Sequence, residues 1–555
     1  MRSPSGVASD PDPVKQKLAV ITYDTTPERY RHWTLAIDPP IAVLTLRPVA
    51  ESCDDVADGG GDDDDDDFGP LMCSLLSVDI ELSDALQRLR FEYPEVGAVV
   101  VTGGTDQAFC TGIVGVPPGS APHVEANVWA FRNELRCAIE DASANSGQYW
   151  LTALNGPGSG PGYELALATD EIVLIDDSRS AVALPEVAEL GVLPPSGALA
   201  RLVDKRRVRP DRIDAFCCCA AGIAGDQALE WGLVDRIAPE AGFAAVVGER
   251  ARARAGSTLR GRAGEAVELG PLRREEFDGG FAYPNVRVEL DEEVGEARLT
   301  IVGPPDHECF APEPGPRRLR SRWWPLAVCR ELDDALLLLR SNSPGIHSIL
   351  LRTEGDPLAV ASADVALTSG YDRDWFVREV THYWKRTLRR IDLTWQSVIA
   401  LVEPGSCFVG TLLEVGLAAD RIYMLDPRVS GDPPVPGDSG VPPARLFLTG
   451  MNFGLLPQAS GLSRLESRFL GRDDRIAALA ERVGDPIPPA EAAALGLVTE
   501  VISGGDWEAR VRQAVKERAG LPLATRARLT SALNTAAPET LETKIFSRGV
   551  QRFGA

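Results

Sequence analysis

The chain has 555 residues, 44% hydrophobic and 25% charged, a length that predicts two domains rather than one core. No stretch of about 18 apolar residues occurs, so no membrane span is expected, and the polar start Met1–Pro13 lacks the apolar core of a secretory signal, which makes a cytoplasmic protein the expectation. A net charge of −24 argues against a nucleic-acid partner and requires a local basic patch for any polyanionic ligand.

In chain order, residues 1–17 are expected to be a disordered tail. A first lobe follows over 18–262. Its strands are predicted at Ile41–Leu46, Ala98–Thr102, Tyr149–Leu154 and Ile172–Ile175, all short apolar runs. Helices are predicted over Val78–Phe91, Val124–Ala144 and Tyr163–Thr169. Strand–helix alternation implies an α/β layered fold with parallel strands. Within this lobe, residues 59–67 hold six adjacent aspartates, whose mutual repulsion predicts a solvated, disordered loop. The run lacks the alternation and distal glutamate of a calcium loop. Residues 263–282 read as a linker, 283–522 as a second lobe, and 523–555 as a helical tail.

The second lobe repeats the first. Leu82-Ser-Asp-Ala85 recurs as Leu332-Asp-Asp-Ala335, and Glu164-Leu-Ala-Leu-Ala-Thr-Asp170 as Glu414-Val-Gly-Leu-Ala-Ala-Asp420, both at an offset of 250. Gly191-Val-Leu-Pro194 matches Gly454-Leu-Leu-Pro457 at 263, and Gly232-Leu-Val matches Gly496-Leu-Val at 264. A nearly constant offset broken by an insertion indicates two copies of one fold.

The chemistry concentrates between Asn155 and Pro194. A Gly-rich turn, Gly158-Ser-Gly-Pro-Gly162, opens a helix and aims backbone N–H groups at an anionic oxygen. Glu164 follows that turn and Glu186 lies in Leu184-Pro-Glu-Val187; two carboxylates beside such a cradle can divide acid and base work. The ten cysteines, three of them contiguous at Cys217–Cys219, have no metal-ligand spacing, and the five histidines do not pair. Reduced structural thiols and no metal are the expectation.

These motifs, together with Arg330-Glu-Leu-Asp-Asp-Ala335, Arg352-Thr-Glu-Gly-Asp356 and Glu403-Pro-Gly-Ser-Cys-Phe408, resemble those of the 2,3-epoxybenzoyl-CoA dihydrolase (benzoyl-CoA-dihydrodiol lyase) family, a tandem branch of the crotonase or enoyl-CoA hydratase/isomerase superfamily. The resemblance runs from about Trp33 to Phe546. It implies tandem crotonase-like lobes, each a ββα spiral, with a helical C-terminal region. It implies hydrolytic ring opening of an aromatic acyl-CoA epoxide, formate release, no redox cofactor or metal, and a homodimer. Glu164 and Glu186 match the superfamily's catalytic glutamates. Cys110 matches a cysteine at the edge of the family's pocket, and Glu134 matches a family acid. The thioester oxygen is expected between the N–H groups of Ile113 and position 161, with Gly112, Gly160, Gly162 and Tyr163 bordering the acyl group. Lys205-Arg206-Arg207 is a candidate for the CoA phosphates. The second lobe, which has Thr449 or Gly450 opposite Glu186, is expected to be structural.

One departure matters chemically. Position 161 is proline, which has no N–H; losing one such donor costs about 2.7–4 kcal/mol of transition-state stabilisation. A retuned or non-catalytic paralogue therefore stands beside the lyase reading, and a simple enoyl-CoA hydratase is a third. The carrier can be CoA or a carrier protein.

Overall fold

The strands β1 (Trp33–Asp38) and β2 (Ile41–Leu46) form an antiparallel hairpin, and every later strand of the first sheet runs parallel to β2. The computed structural model describes residues 21–47, 68–104, 116, 120–256, 266–305, 320–426, 443–535 and 538–550, and the side chains of 68–74 are outside that description. The tail 1–17 and the acidic run 59–67 fall outside it too. After β2 come helix α1 (Phe68–Phe91), β3 (Ala98–Gly103), helix α2 (Pro122–Ser146), β4 (Tyr149–Leu154), the two-residue β5 (Gly158–Ser159) and helix α3 (Gly160–Ala168). Then follow β6 (Glu171–Asp176), β7 (Ala181–Ala183), helix α4 (Pro185–Leu190), β8 (Ile223–Ala224) and β9 (Arg236–Pro239). The main sheet has the order β1-β2-β3-β4-β6-β9, with a small sheet β5-β7-β8 beside it.

Central strands buried on both faces explain the unbroken apolar runs of the sequence. Ala98 and Val100 face the helix Phe243–Ala255, which contributes Phe243, Val247, Ala251 and Ala255 at a spacing of one helical turn. Val99 and Val101 face α1, α2 and α3, where they meet Leu82, Leu86, Leu135 and Tyr163.

The second sheet runs β10 (Glu275–Phe277), β11 (Gly280–Ala282), β12 (Val286–Asp291), β13 (Glu296–Val302), β14 (Ser348–Glu354), β15 (Ser397–Val402), β16 (Arg421–Asp426) and β17 (Glu500–Ser503), in that order. From β12 onward it repeats the first sheet strand for strand: one antiparallel hairpin, then four parallel additions. The helix Trp507–Ala519 covers its outer face with Trp507, Val511 and Val515, as Phe243, Val247 and Ala251 do in the first lobe. The chain belongs to the α/β class with a helical C-terminal region. Two expected boundaries differ. β10 pairs with β11 and β11 with β12, so residues 275–277 and 280–282 are sheet rather than linker. Helix α1 begins at Phe68, not Val78.

The lobes meet through α1, α2 and the helices Trp324–Asn342 and Trp375–Asp392. Burying charge without a partner costs several kcal/mol, so the charges at this seam are matched. Arg90 binds Asp141 and Glu379 at 2.9 Å each. Lys385 and Arg386 also bind Asp141. The helices Leu523–Asn534 and Leu541–Gly549 then return to the first lobe. Ile545 and Phe546 pack there against Trp129, Ala130 and Ala200. Among the described residues, no helix is long and apolar enough to cross a membrane.

Candidate active site

Helix α3 opens on Gly160, whose φ is +50°. A Cβ there would lie 3.7 Å from Oε2 of Glu186, an ordinary contact, so the positive φ is what calls for glycine and the second carboxylate sits beside the turn. Pro161 occupies the next position, where its fixed φ suits a helix start. It leaves Gly160 and Gly162 to supply the helix's unbonded N–H groups. The Pro161 carbonyl accepts a 3.1 Å bond from Nη2 of Arg136. Arg136 is fully buried, and that burial pushes its guanidinium down to about 10 against the opposing pull of Asp79 and Glu164.

Glu164 lies one turn beyond Gly160, on the same face of α3, and is fully buried. Its Oε2 accepts from the backbone N–H of Ser196 at 2.7 Å and from the Ser196 hydroxyl. Its Oε1 is buried and has no hydrogen-bond partner among the described residues. Glu186, second residue of α4, is half-buried beside the Gly160 turn. The helix Pro210–Cys217 packs near α4, and the Cys217 thiol is pushed up to about 11 by burial, then by Cys218 and the Glu186 charge. One carboxylate with an open oxygen and a second across a glycine turn can share a proton relay on a bound molecule.

The other expected residues are placed differently. Glu134 is at the seam between lobes, where Arg340 binds it at 2.7 Å and Arg390 binds its other oxygen. Although burial alone would raise it, those two guanidinium groups hold its carboxyl below the ordinary range. It clamps the two lobes together, at the edge of a cavity it lines with Cys137, Asp333 and Arg390. Tyr163 is fully buried; its hydroxyl donates to the Leu233 carbonyl at 2.8 Å and its ring meets Phe216 edge-on. It anchors α3. Lys205 is spent on Glu140 and the Ala168 carbonyl, and Arg206 on Asp235 and the Gly232 carbonyl, leaving only Arg207 exposed. Cys110, Gly112 and Ile113 lie outside the described residues.

Sequence reasoning missed Arg136, Ser196 and Arg201. Arg201 is fully buried, donating to the Ser196 carbonyl at 2.6 Å and to Glu140 at 2.9 Å through both Nε and Nη2. A signal for it was present: Arg464 stands 263 positions on, the offset of Gly191 and Gly454.

The second lobe fills its own copy of the site. Gly410, opposite Gly160, has φ +43°, and a Cβ there would sit 1.6 Å from Oδ2 of Asp364. Thr411, opposite Pro161, donates its N–H to Asp364 Oδ2 at 3.0 Å and its hydroxyl to Oδ1 at 2.5 Å. Thr449 adds a third bond at 2.9 Å. Both oxygens of Glu414 are taken, by Asn452 at 2.8 Å and Arg464 at 3.2 Å. Burial pushes Asp364 and Glu414 each up to about 7.

A glycine-turned helix carrying a buried glutamate, set on a sheet of this order, defines an enoyl-CoA hydratase/isomerase-type chain, and that family's profile matches residues 76–260. Over that single lobe it is also similar to carnitinyl-CoA dehydratase of Proteus mirabilis, 30% identical over 159 residues, covering 28% of this chain and 56% of the relative. An enoyl-CoA hydratase structure from Bacillus anthracis covers 41% of this chain and 78% of its own, at 20% identity and a TM-score of 0.31. Over nearly the full length, the chain is 42% identical to benzoyl-CoA-dihydrodiol lyase of Aromatoleum evansii across 536 residues, 96% of this chain and 92% of that one. The chain belongs to the benzoyl-CoA-dihydrodiol lyase family.

Proposed function

We propose that this protein is a lyase that opens the ring of an aromatic acyl-CoA epoxide, 2,3-epoxybenzoyl-CoA, with release of formate. The observation that carries the reading is the Glu164 carboxyl: it is fully buried, held at Oε2, open at Oε1, and neighboured across Gly160 by Glu186. N–H groups at the tip of α3 polarise the thioester oxygen, which makes the ring carbons electrophilic. One carboxyl protonates the opening epoxide while the other draws a proton from water, so charge moves between two groups already in place. The chemistry calls for no redox cofactor or metal. The reading includes a homodimer in the cytoplasm, with CoA as the carrier, and a structural role for the second lobe.

Pro161 favours one second reading, a retuned paralogue that binds an acyl thioester with a weakened oxyanion site. Formate release from 2,3-epoxybenzoyl-CoA by the purified chain, with Glu164→Gln alongside, separates the two. Formate that vanishes in the variant supports the lyase; no formate from folded protein refutes it and favours the paralogue. Hydration of crotonyl-CoA would mark a simple hydratase instead.

A further inference from the structure

A buried glutamate at this place in the fold has two solutions in one chain. In the second lobe, Glu414 spends both oxygens, on Asn452 and on Arg464. The 263 offset that pairs Arg201 with Arg464 puts Ala459 opposite Ser196, so no hydroxyl is present there. In the first lobe the matching arginine never reaches the carboxylate. Arg201 is consumed by Glu140 and by the Ser196 carbonyl, and Ser196 turns its N–H and hydroxyl onto Glu164 Oε2. Burial alone is thus met without a serine; the serine solution is the one that leaves Oε1 open. We propose that Ser196 is a positioning residue for the ring-opening reaction: it grips Glu164 by Oε2, presents Oε1 to the reacting atoms, and keeps the Arg201 guanidinium one residue away.

The inference rests on the lyase reading, and its test separates the two. Ser196→Ala and Ser196→Thr are made in the full chain. Ser196→Ala lowers kcat for formate release about 10–100-fold and leaves the affinity for unreactive benzoyl-CoA within about twofold; Ser196→Thr returns kcat to within about threefold. An unchanged kcat in Ser196→Ala, or a folded Ser196→Thr as slow as the alanine variant, overturns the proposal. If the unaltered chain releases no formate, the lyase reading falls and the infrared carboxylate band of Glu164, assigned by its loss in Glu164→Gln, decides the positioning role. A band displaced in Ser196→Ala upholds it, and an unmoved band overturns it.

Discussion

Replacing Asp364 with asparagine tests whether the second lobe has sealed its own site with a carboxyl that prefers to be neutral. Asp364 is almost fully buried and accepts from Thr411 twice and Thr449 once. Those bonds favour the anion, but burial outweighs them and raises the group from 3.8 to about 7. A raised carboxyl binds its proton more tightly folded than unfolded, so its stabilisation is complete below the unfolded value and is lost as pH rises through the folded one. Between about pH 5 and pH 8 that loss is about 2.5 kcal/mol for one group, at 1.36 kcal/mol per unit. Glu414, also at about 7, is coupled to Asp364, so the two are not simply additive. The assay is urea unfolding of the natural chain and Asp364→Asn at about pH 5 and about pH 8. Asparagine cannot ionise and can still bond Thr411 and Thr449. The variant is therefore expected to lose much less stability on going to the higher pH. The natural chain with no such loss, and a variant equally destabilised at both pH values, would mean that Asp364 is ionised throughout and refute the argument.

Glu134→Gln should cost about 3–5 kcal/mol, because Arg340 and Arg390 lose the charge they share; the unfolding midpoint reads this. Glu164→Gln should abolish turnover while leaving that midpoint nearly unchanged, since the amide oxygen can still accept from Ser196. Pro161→Gly restores an N–H at the helix tip and should raise kcat by up to about 100-fold, while no gain in steady-state turnover would show that this donor is not needed. Gly197→Ala would set a Cβ 2.7 Å from Ile545 and 2.9 Å from Arg201 at φ +77°. It should destabilise by about 1–3 kcal/mol and loosen the C-terminal helix, visible as faster amide exchange over Leu541–Gly549.

The parts of this molecule that repeat or alternate were legible in its residues. The strands Ala98–Gly103 and Tyr149–Leu154 are found where their apolar runs predict them, because a central strand buried on both faces needs such a run. The short strands β10 and β11 were not legible: their residues are exposed or half-exposed, so they carry no alternation, and only the pairing of β10 with β11 and of β11 with β12 makes them sheet. At the site, Glu164 stood out by the Gly-rich turn before it and Glu186 by its place in Leu184-Pro-Glu-Val187. The ion pairs of Glu134 were not legible, because a glutamate in a helix looks the same with or without two arginines more than 200 positions away in the chain. Ser196 lies 32 positions from Glu164, and only the fold brings it onto that carboxylate.

The return of Ile545 and Phe546 to Trp129 and Ala200 sets an order of events during synthesis. The first lobe leaves the ribosome with that apolar patch bare, and the residues that cover it are made last. At about 5–20 residues per second the delay from Ala200 to Ile545 is roughly 20–70 s. Through that interval the loop that steadies Glu164 has no backing from Ile545, so a nascent or prematurely terminated chain can hold a folded first sheet and still lack a working centre.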